Sequence, residues 1–156
     1  MVGRLDAPMF IVTAVGPDGE RAGCLVGFAT QCSVKPPRFL ACVSKQNRTV
    51  DVVRKAATVA VHFLGVDQRR LAELFGGETG DEVDKFELCS WREGPEGVPV
   101  LDGVVGWFAG RVLDRFDLGD HVGLWLEPVE AEDNGGVPDL GFQSVKQIEP
   151  GHPVSE

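Results

Sequence analysis

Short apolar, β-branched runs separated by turn residues dominate the chain, and they fail to alternate regularly with helices. Phe10 to Val15 is such a run, Gly16-Pro17-Asp18-Gly19 supplies turn chemistry, and Arg21 to Ala29 continues as a second strand, which together read as a hairpin. Pro36-Pro37 breaks the chain before a buried strand at Phe39 to Val43, and Thr58 to Leu64 returns to β character. Val104 to Leu113 and His121 to Val129 read as two long strands, with a turn over Asp114 to Asp120 and Gly119 as its positive-φ residue. The spacing of Val50, Val53 and Ala57 predicts one helix, with Thr49 or Asn47 as N-cap. A second helix, capped by Asp67, would carry Leu71, Leu74 and Phe75 on one face and end at Gly76-Gly77. The Gly76 to Cys89 stretch reads as a long functional loop with some helix. Beyond Glu130 the turn residues Asn134-Gly135-Gly136 and Pro138 predict loops, and Gly151 to Glu156 a frayed tail.

This order excludes a doubly wound parallel sheet, and Gly-x-Gly-x-x-Gly is absent. It suits a closed or partly closed antiparallel barrel with helices outside, whose edges are hidden by closure or by a second subunit. At 156 residues one domain with a sizeable core is expected, with no linker or repeat dividing it.

Charge narrows the partners. Twenty-four acidic residues against fifteen Lys+Arg give a formal charge of -9. Such a surface repels phosphate backbones, so nucleic acid is not an expected partner. Apolar stretches are too short and interrupted to span a bilayer, and MVGRLDAPMF has no apolar secretory core. The expectation is a cytoplasmic protein. Cys24, Cys32, Cys42 and Cys89 form no Cys-x-x-Cys pair, and Cys24, Cys42 and Cys89 read as buried thiols.

Several familiar chemistries have no foothold. Gly76-Gly77-Glu78-Thr79-Gly80 lacks the Gly-Lys-Ser/Thr ending of a P-loop, and neither Ser44 nor Ser90 sits in a Gly-x-Ser-x-Gly elbow. His62, His121 and His152 include no pair at metal-ligand spacing, so no metal is expected. His62 reads as a satisfied core histidine and His152 as solvated. His121, beside the turn Gly119-Asp120, is open to either a structural or a functional role.

The most informative segment is Gly27 to Pro37, GFATQCSVKPP, where a strand ends in small and polar residues: Ala29, Thr30, Gln31, Cys32 and Ser33. Hydroxyls and free backbone N–H groups at a strand end can wrap a phosphate and a polyol. Asn47, Arg48 and Thr49 add a guanidinium, a hydroxyl and a helix start. Chemistry alone leaves this open between a phosphate cradle and a polar connecting loop.

The ordered set Gly23 to Pro37, Asn47-Arg48-Thr49, Leu71-Ala72-Glu73-Leu74-Phe75, Asp84-Lys85-Phe86, Gly97-Val98-Pro99-Val100-Leu101 and Gly119-Asp120-His121 resembles the flavin reductase-like family of FMN-binding split barrels. The likeness covers roughly residues 7 to 145. It implies a mainly β fold, a Greek-key split β-barrel with short flanking helices, and a homodimer with one flavin per subunit near the interface. FMN, or FAD, would lie along Gly27, Phe28, Ala29, Thr30, Gln31, Cys32 and Ser33. Its phosphate would meet Ser33, Arg48 and Thr49 beside Asn47, while Lys85 and Phe86 approach from the other side. His121 would border flavin and nicotinamide as a positioning group. Family members often carry Ser or Thr where this chain has Gln31, an aliphatic residue at Cys32, asparagine at His62, and a glycine near Glu127. The activity implied is that of an NAD(P)H:flavin oxidoreductase supplying a partner flavin-dependent monooxygenase. The cofactors carry that chemistry, which accounts for a sequence without an acid–base dyad. The alternatives are a non-catalytic flavin or electron carrier, a flavoenzyme reducing a small organic substrate on tightly held FMN, and an interaction domain with no cofactor.

Overall fold

Seven strands form one antiparallel sheet whose two outermost members are consecutive in sequence. The computed structural model describes residues 8–77 and 84–134. The strands are β1 (Phe10–Val15), β2 (Arg21–Val26), β3 (Ala29–Ser33), β4 (Arg38–Ser44), β5 (Thr58–Phe63), β6 (Trp91–Glu93), β7 (Pro99–Leu101), β8 (Gly106–Asp117) and β9 (His121–Asp133). Helix α1 (Thr49–Val53) joins β4 to β5, and α2 (Arg69–Gly77) follows β5. The large sheet has the order β2-β1-β5-β8-β9-β4-β3, and β6 pairs with β7 separately. Its end strands β2 and β3 are linked only by Gly27-Phe28, a span of about 10 Å at most. The sheet must therefore curl until its ends meet. The result is the mainly β Greek-key split barrel with short helices outside.

The sequence pattern reports which strands are covered twice. In β1, Phe10, Val12 and Ala14 line the barrel interior, while Ile11 joins a second cluster outside it. In β5, Val59 and Val61 point in and His62 points out, all fully buried. Both strands read as continuous apolar runs because α2 and the β6–β7 hairpin cover their outer faces. The interior closes on edge-packed rings, Phe10–Phe39 at 5.8 Å and Phe39–Phe108 at 5.0 Å.

The β4 pattern alternates instead, since its outer face is only partly covered. Leu40 stands opposite Trp125, and Phe116 opposite Gly123. Period two therefore puts Leu40, Phe116 and Trp125 on one outer face. Leu118 joins them, lying against the bare face of Gly123, where a Cβ would sit 2.7 Å from its Cδ1. Phe116 and Leu118 are 42% and 49% exposed, so this face presents apolar surface to its surroundings.

Several sequence expectations are corrected. The strand expected over Arg21 to Ala29 is two strands, broken at Gly27-Phe28 where the chain crosses the barrel seam. The turn expected over Asp114 to Asp120 is shorter, because β8 runs on to Asp117, with Gly119 at φ +98°. The β9 strand reaches Asp133, beyond the loop boundary expected at Glu130. Arg48 directly precedes α1, while the Asn47 carboxamide accepts from the Thr49 N–H at 2.9 Å. A 3₁₀ turn (Val66–Gln68) holds Asp67 ahead of α2. Cys24 is buried, but Cys42 and Cys89 are only half-buried and Cys32 is exposed. The expected N-terminal region 1–7, the loop core 78–83, the turns and tail beyond 134, and His152 lie outside the described residues.

Candidate functional site

One end of the barrel carries a cleft of about 360 Å³ walled by three chain segments: 19–23, 47–49 and 84–86. That volume is within the range of small-molecule sites, about 300–1,000 Å³. Local sequence builds each wall. Gly19 takes φ +86°, which turns the chain into β2 and places Arg21 on the cleft. The Asn47 side chain fixes the backbone entering α1 and sets Arg48 and Thr49 beside it. Asp84 accepts from the Phe86 N–H at 3.0 Å and starts the 3₁₀ turn Lys85–Glu87.

Lys85 is the unusual member, being only 4% exposed. Its ammonium donates to the Gly23 carbonyl at 3.3 Å and to the Phe75 carbonyl, in the last turn of α2, at 3.1 Å. The field of a buried ammonium is screened less than that of a solvated lysine. The Lys85 field and a hydrogen bond with Thr49 oppose the effect of burial on the Cys24 thiol, which is nonetheless pushed up to about 11. Cys24 is therefore a protonated, inert core thiol. Gly23 is required here: a Cβ would sit 2.7 Å from the Phe75 ring. Phe86 packs edge-on to Phe75 at 5.7 Å and to Trp91 at 5.6 Å, and its carbonyl accepts from the Trp91 indole at 2.9 Å.

A second group of residues lies past the far end of β2. His121 opens β9 opposite Ser44, and its ring meets that of Phe28 at 4.9 Å. The Phe28 carbonyl accepts from the Cys42 N–H at 2.9 Å, while its side chain is 60% exposed. The Asp120 carboxylate bonds His121 Nδ1 at 2.6 Å, and this bond holds its pKa below the usual carboxylate range. Lys45 ties the same turn down by donating its ammonium to Asp117 at 2.6 Å and its N–H to the Asp120 carbonyl at 2.9 Å. The imidazole is thus restrained on one ring nitrogen and on one face.

The structure gathers Asn47, Arg48, Thr49, Lys85 and Phe86 around the cleft, and it brings Phe28, beside Gly27, to His121. It separates Ser33 from Arg48 and Thr49. Ser33 is opposite Arg38 at one end of β4, whereas Arg48 follows the other end, about 20 Å along seven residues. Ala29 leans into the barrel, whereas Thr30, Gln31 and Cys32 occupy the exposed middle of β3. Sequence reasoning missed Arg21 and Trp91. The guanidinium of Arg21 stacks 4.8 Å over the Trp91 ring, and the only sequence signal was an arginine opening a strand.

Chemically, the arrangement offers three cations (Arg21, Arg48 and Lys85) to an anionic group, and the exposed Phe28 ring with the half-buried His121 ring to a planar one. The segment between them is β2. No group of His, Cys, Asp and Glu among the described residues could hold a metal. No helix among them is long and apolar enough to cross a membrane.

Residues 2–146 match the family model described as flavin reductase like domain. An FMN reductase (NADH) RutF of Ancylobacter novellus is 33% identical over 141 residues, covering 90% of this chain and 77% of that protein. The 4-hydroxyphenylacetate 3-monooxygenase reductase component of Pseudomonas aeruginosa is 30% identical over 127 residues, covering 80% and 73%. Other relatives are longer, and the chain spans as little as 41% of their length. Among solved structures, the NADH:FAD oxidoreductase SgcE6 of Streptomyces globisporus superposes with a TM-score of 0.77. It is 27% identical, with 84% of this chain and 77% of that one covered.

Proposed function

The chain belongs to the flavin reductase-like family, and from that premise we propose that it is an NAD(P)H:flavin oxidoreductase. The observation that carries the reading is the pairing of a cationic cleft with the Phe28–His121 ring pair at the two ends of β2. An elongated ligand with a phosphate at one end and a flat ring at the other fits such a site, and FMN has that form. The flavin of FAD has it too. When bound, the flavin supplies a ring that accepts a hydride from reduced nicotinamide.

The protein's part is placement. Arg48 and Thr49 meet the phosphate end, with Asn47 fixing the turn that presents them, while Lys85 and Phe86 approach from the other side. Gly27 and Phe28 border the ring, and Ala29 follows them into β3. His121, oriented by Asp120, positions the nicotinamide against it. Thr30, Gln31, Cys32 and Ser33 lie on the exposed edge strand, where they meet the flavin of a partner subunit rather than their own phosphate cleft. A homodimer burying the outer face of Leu40, Phe116, Leu118 and Trp125 brings that edge to a second subunit. Residues 1–156 act as one cytoplasmic domain, and a flavin-dependent monooxygenase consumes the reduced flavin. The named reductase components among its relatives support that last step.

The test is nicotinamide oxidation by the purified protein with added FMN, with NADH and NADPH assayed separately. Rapid flavin-dependent loss of the reduced-nicotinamide absorbance is expected. Flavin binding without turnover would instead make the protein a carrier. Light scattering of wild type and Trp125→Arg tests the dimer, the variant being expected to run as a monomer.

A further inference from the structure

Two guanidinium groups stand at the cleft, and they are held in different ways. Arg48 Nη2 lies 3.6 Å from Glu20 Oε1, with both side chains half-exposed. Arg21 is held by the face of Trp91, its guanidinium carbon 4.8 Å from the ring centroid, and has no carboxylate partner among the described residues. Trp91 is itself anchored to the segment that carries Lys85, through its indole N–H to the Phe86 carbonyl and its edge contact with the Phe86 ring.

The difference is electrostatic. A carboxylate within ion-pair distance cancels most of a guanidinium's field beyond the pair. An aromatic face restrains the guanidinium through the ring quadrupole and leaves its net charge intact. The ion pair also has to be broken or shared before Arg48 can give its full charge to a ligand, whereas Arg21 gives up nothing. Its planar fork suits the oxygens of a phosphate.

Building on the flavin reading above, we infer that Arg21, on its Trp91 platform, is the principal rim cation of the cleft and sets the preference for phosphorylated over unphosphorylated flavin. Arg48 is secondary, and Glu20 limits its contribution. Lys85, buried at the floor, supplies constant positive potential beneath both.

The experiment measures dissociation constants of FMN and riboflavin, by quenching of flavin fluorescence, for wild type, Arg21→Gln, Arg48→Gln and Glu20→Gln. Arg21 is exposed, so its replacement leaves the fold intact. Wild type is expected to hold FMN at least about tenfold more tightly than riboflavin, the scale of one charge-assisted hydrogen bond. Arg21→Gln should weaken FMN about tenfold and riboflavin by less than about twofold. Arg48→Gln should cost FMN about threefold or less, and Glu20→Gln should tighten it by a similar factor. Trp91→Leu, which frees Arg21 without removing its charge, should cost less than Arg21→Gln.

An FMN preference that survives Arg21→Gln and disappears in Arg48→Gln overturns the role of Arg21 and leaves the flavin reading standing. Equal wild-type affinity for FMN and riboflavin removes the phosphate from this cleft, and Arg21 with it. A protein that binds neither flavin overturns the functional reading itself.

Discussion

His62 and His121 have the same side chain in opposite surroundings. His62 is fully buried, and both of its ring nitrogens are consumed by backbone. The Leu101 N–H donates to Nε2 at 3.0 Å, so Nε2 must be the acceptor, and Nδ1 carries the hydrogen that reaches the Ile11 carbonyl at 2.9 Å. The ring thereby pins the β6–β7 hairpin to β1 across β5. Its pKa is driven down to about 4, chiefly by burial, with Arg92 adding to the effect and the Ile11 bond opposing it. His121 has one nitrogen on an exposed carboxylate and one face on an exposed phenylalanine. Residue type therefore decides little. A histidine whose two nitrogens are both spent on the main chain is a cross-link, and one with capacity left at an open rim is available to a ligand.

The harshest way to break the comparison is His62→Leu. It leaves the Leu101 N–H buried without its partner and takes a second donor from the Ile11 carbonyl, whose strand is paired on both sides, so a loss of roughly 1–3 kcal/mol is expected in urea unfolding. A loss below about 1 kcal/mol would show that the hairpin does not depend on this ring. Acid applies the same stress without mutation. The folded pKa lies below the unfolded value of 6.5, so the unfolded state binds more protons between the two. Stability is fully present above pH 6.5 and falls as pH drops toward 4, by up to about 3 kcal/mol from this group. His62→Gln should flatten that slope, and an unchanged slope would assign it to other groups.

His121→Ala probes the other member of the pair. It should leave urea stability within about 0.5 kcal/mol, as expected of a rim position. Flavin reduction by nicotinamide should slow about tenfold, the scale of a lost positioning contact, with FMN affinity changed by less than about threefold. A collapse of FMN affinity would make His121 part of the cofactor's cradle. The mildest change is Phe28→Ala, which removes one restraint on the imidazole and should slow turnover about two- to threefold. Stopped-flow reduction separates both rate effects from binding.

The barrel was legible because its strands announce themselves by composition. Phe10–Val15 and Thr58–Phe63 are too continuously apolar to be anything but doubly covered, and the Gly16-to-Gly19 turn fixes the first pairing. The β6–β7 hairpin was not legible. Its strands are three residues each, below the length at which a period can be read, and tertiary contacts through His62 and Trp91 hold it in place. Of the site, the motif residues around Asn47 and Lys85 were legible through family resemblance. The burial of Lys85 depends on carbonyls from β2 and α2, and no local pattern encodes that meeting. The break at Gly27-Phe28 escaped for a related reason: the chain changes edges there without any residue typical of a turn other than one glycine.

That two-residue seam makes length itself a constrained quantity of the molecule. Deleting one residue between Val26 and Ala29 would shift β3 by one step against β4 and invert its faces. Thr30, now outside opposite Leu40, would point into the packed barrel, and Ala29 would leave it. Insertions can accumulate in the surface loops at small cost, each doubling of loop length adding about 0.6 kcal/mol. At the seam, the same small edit would turn a whole strand inside out.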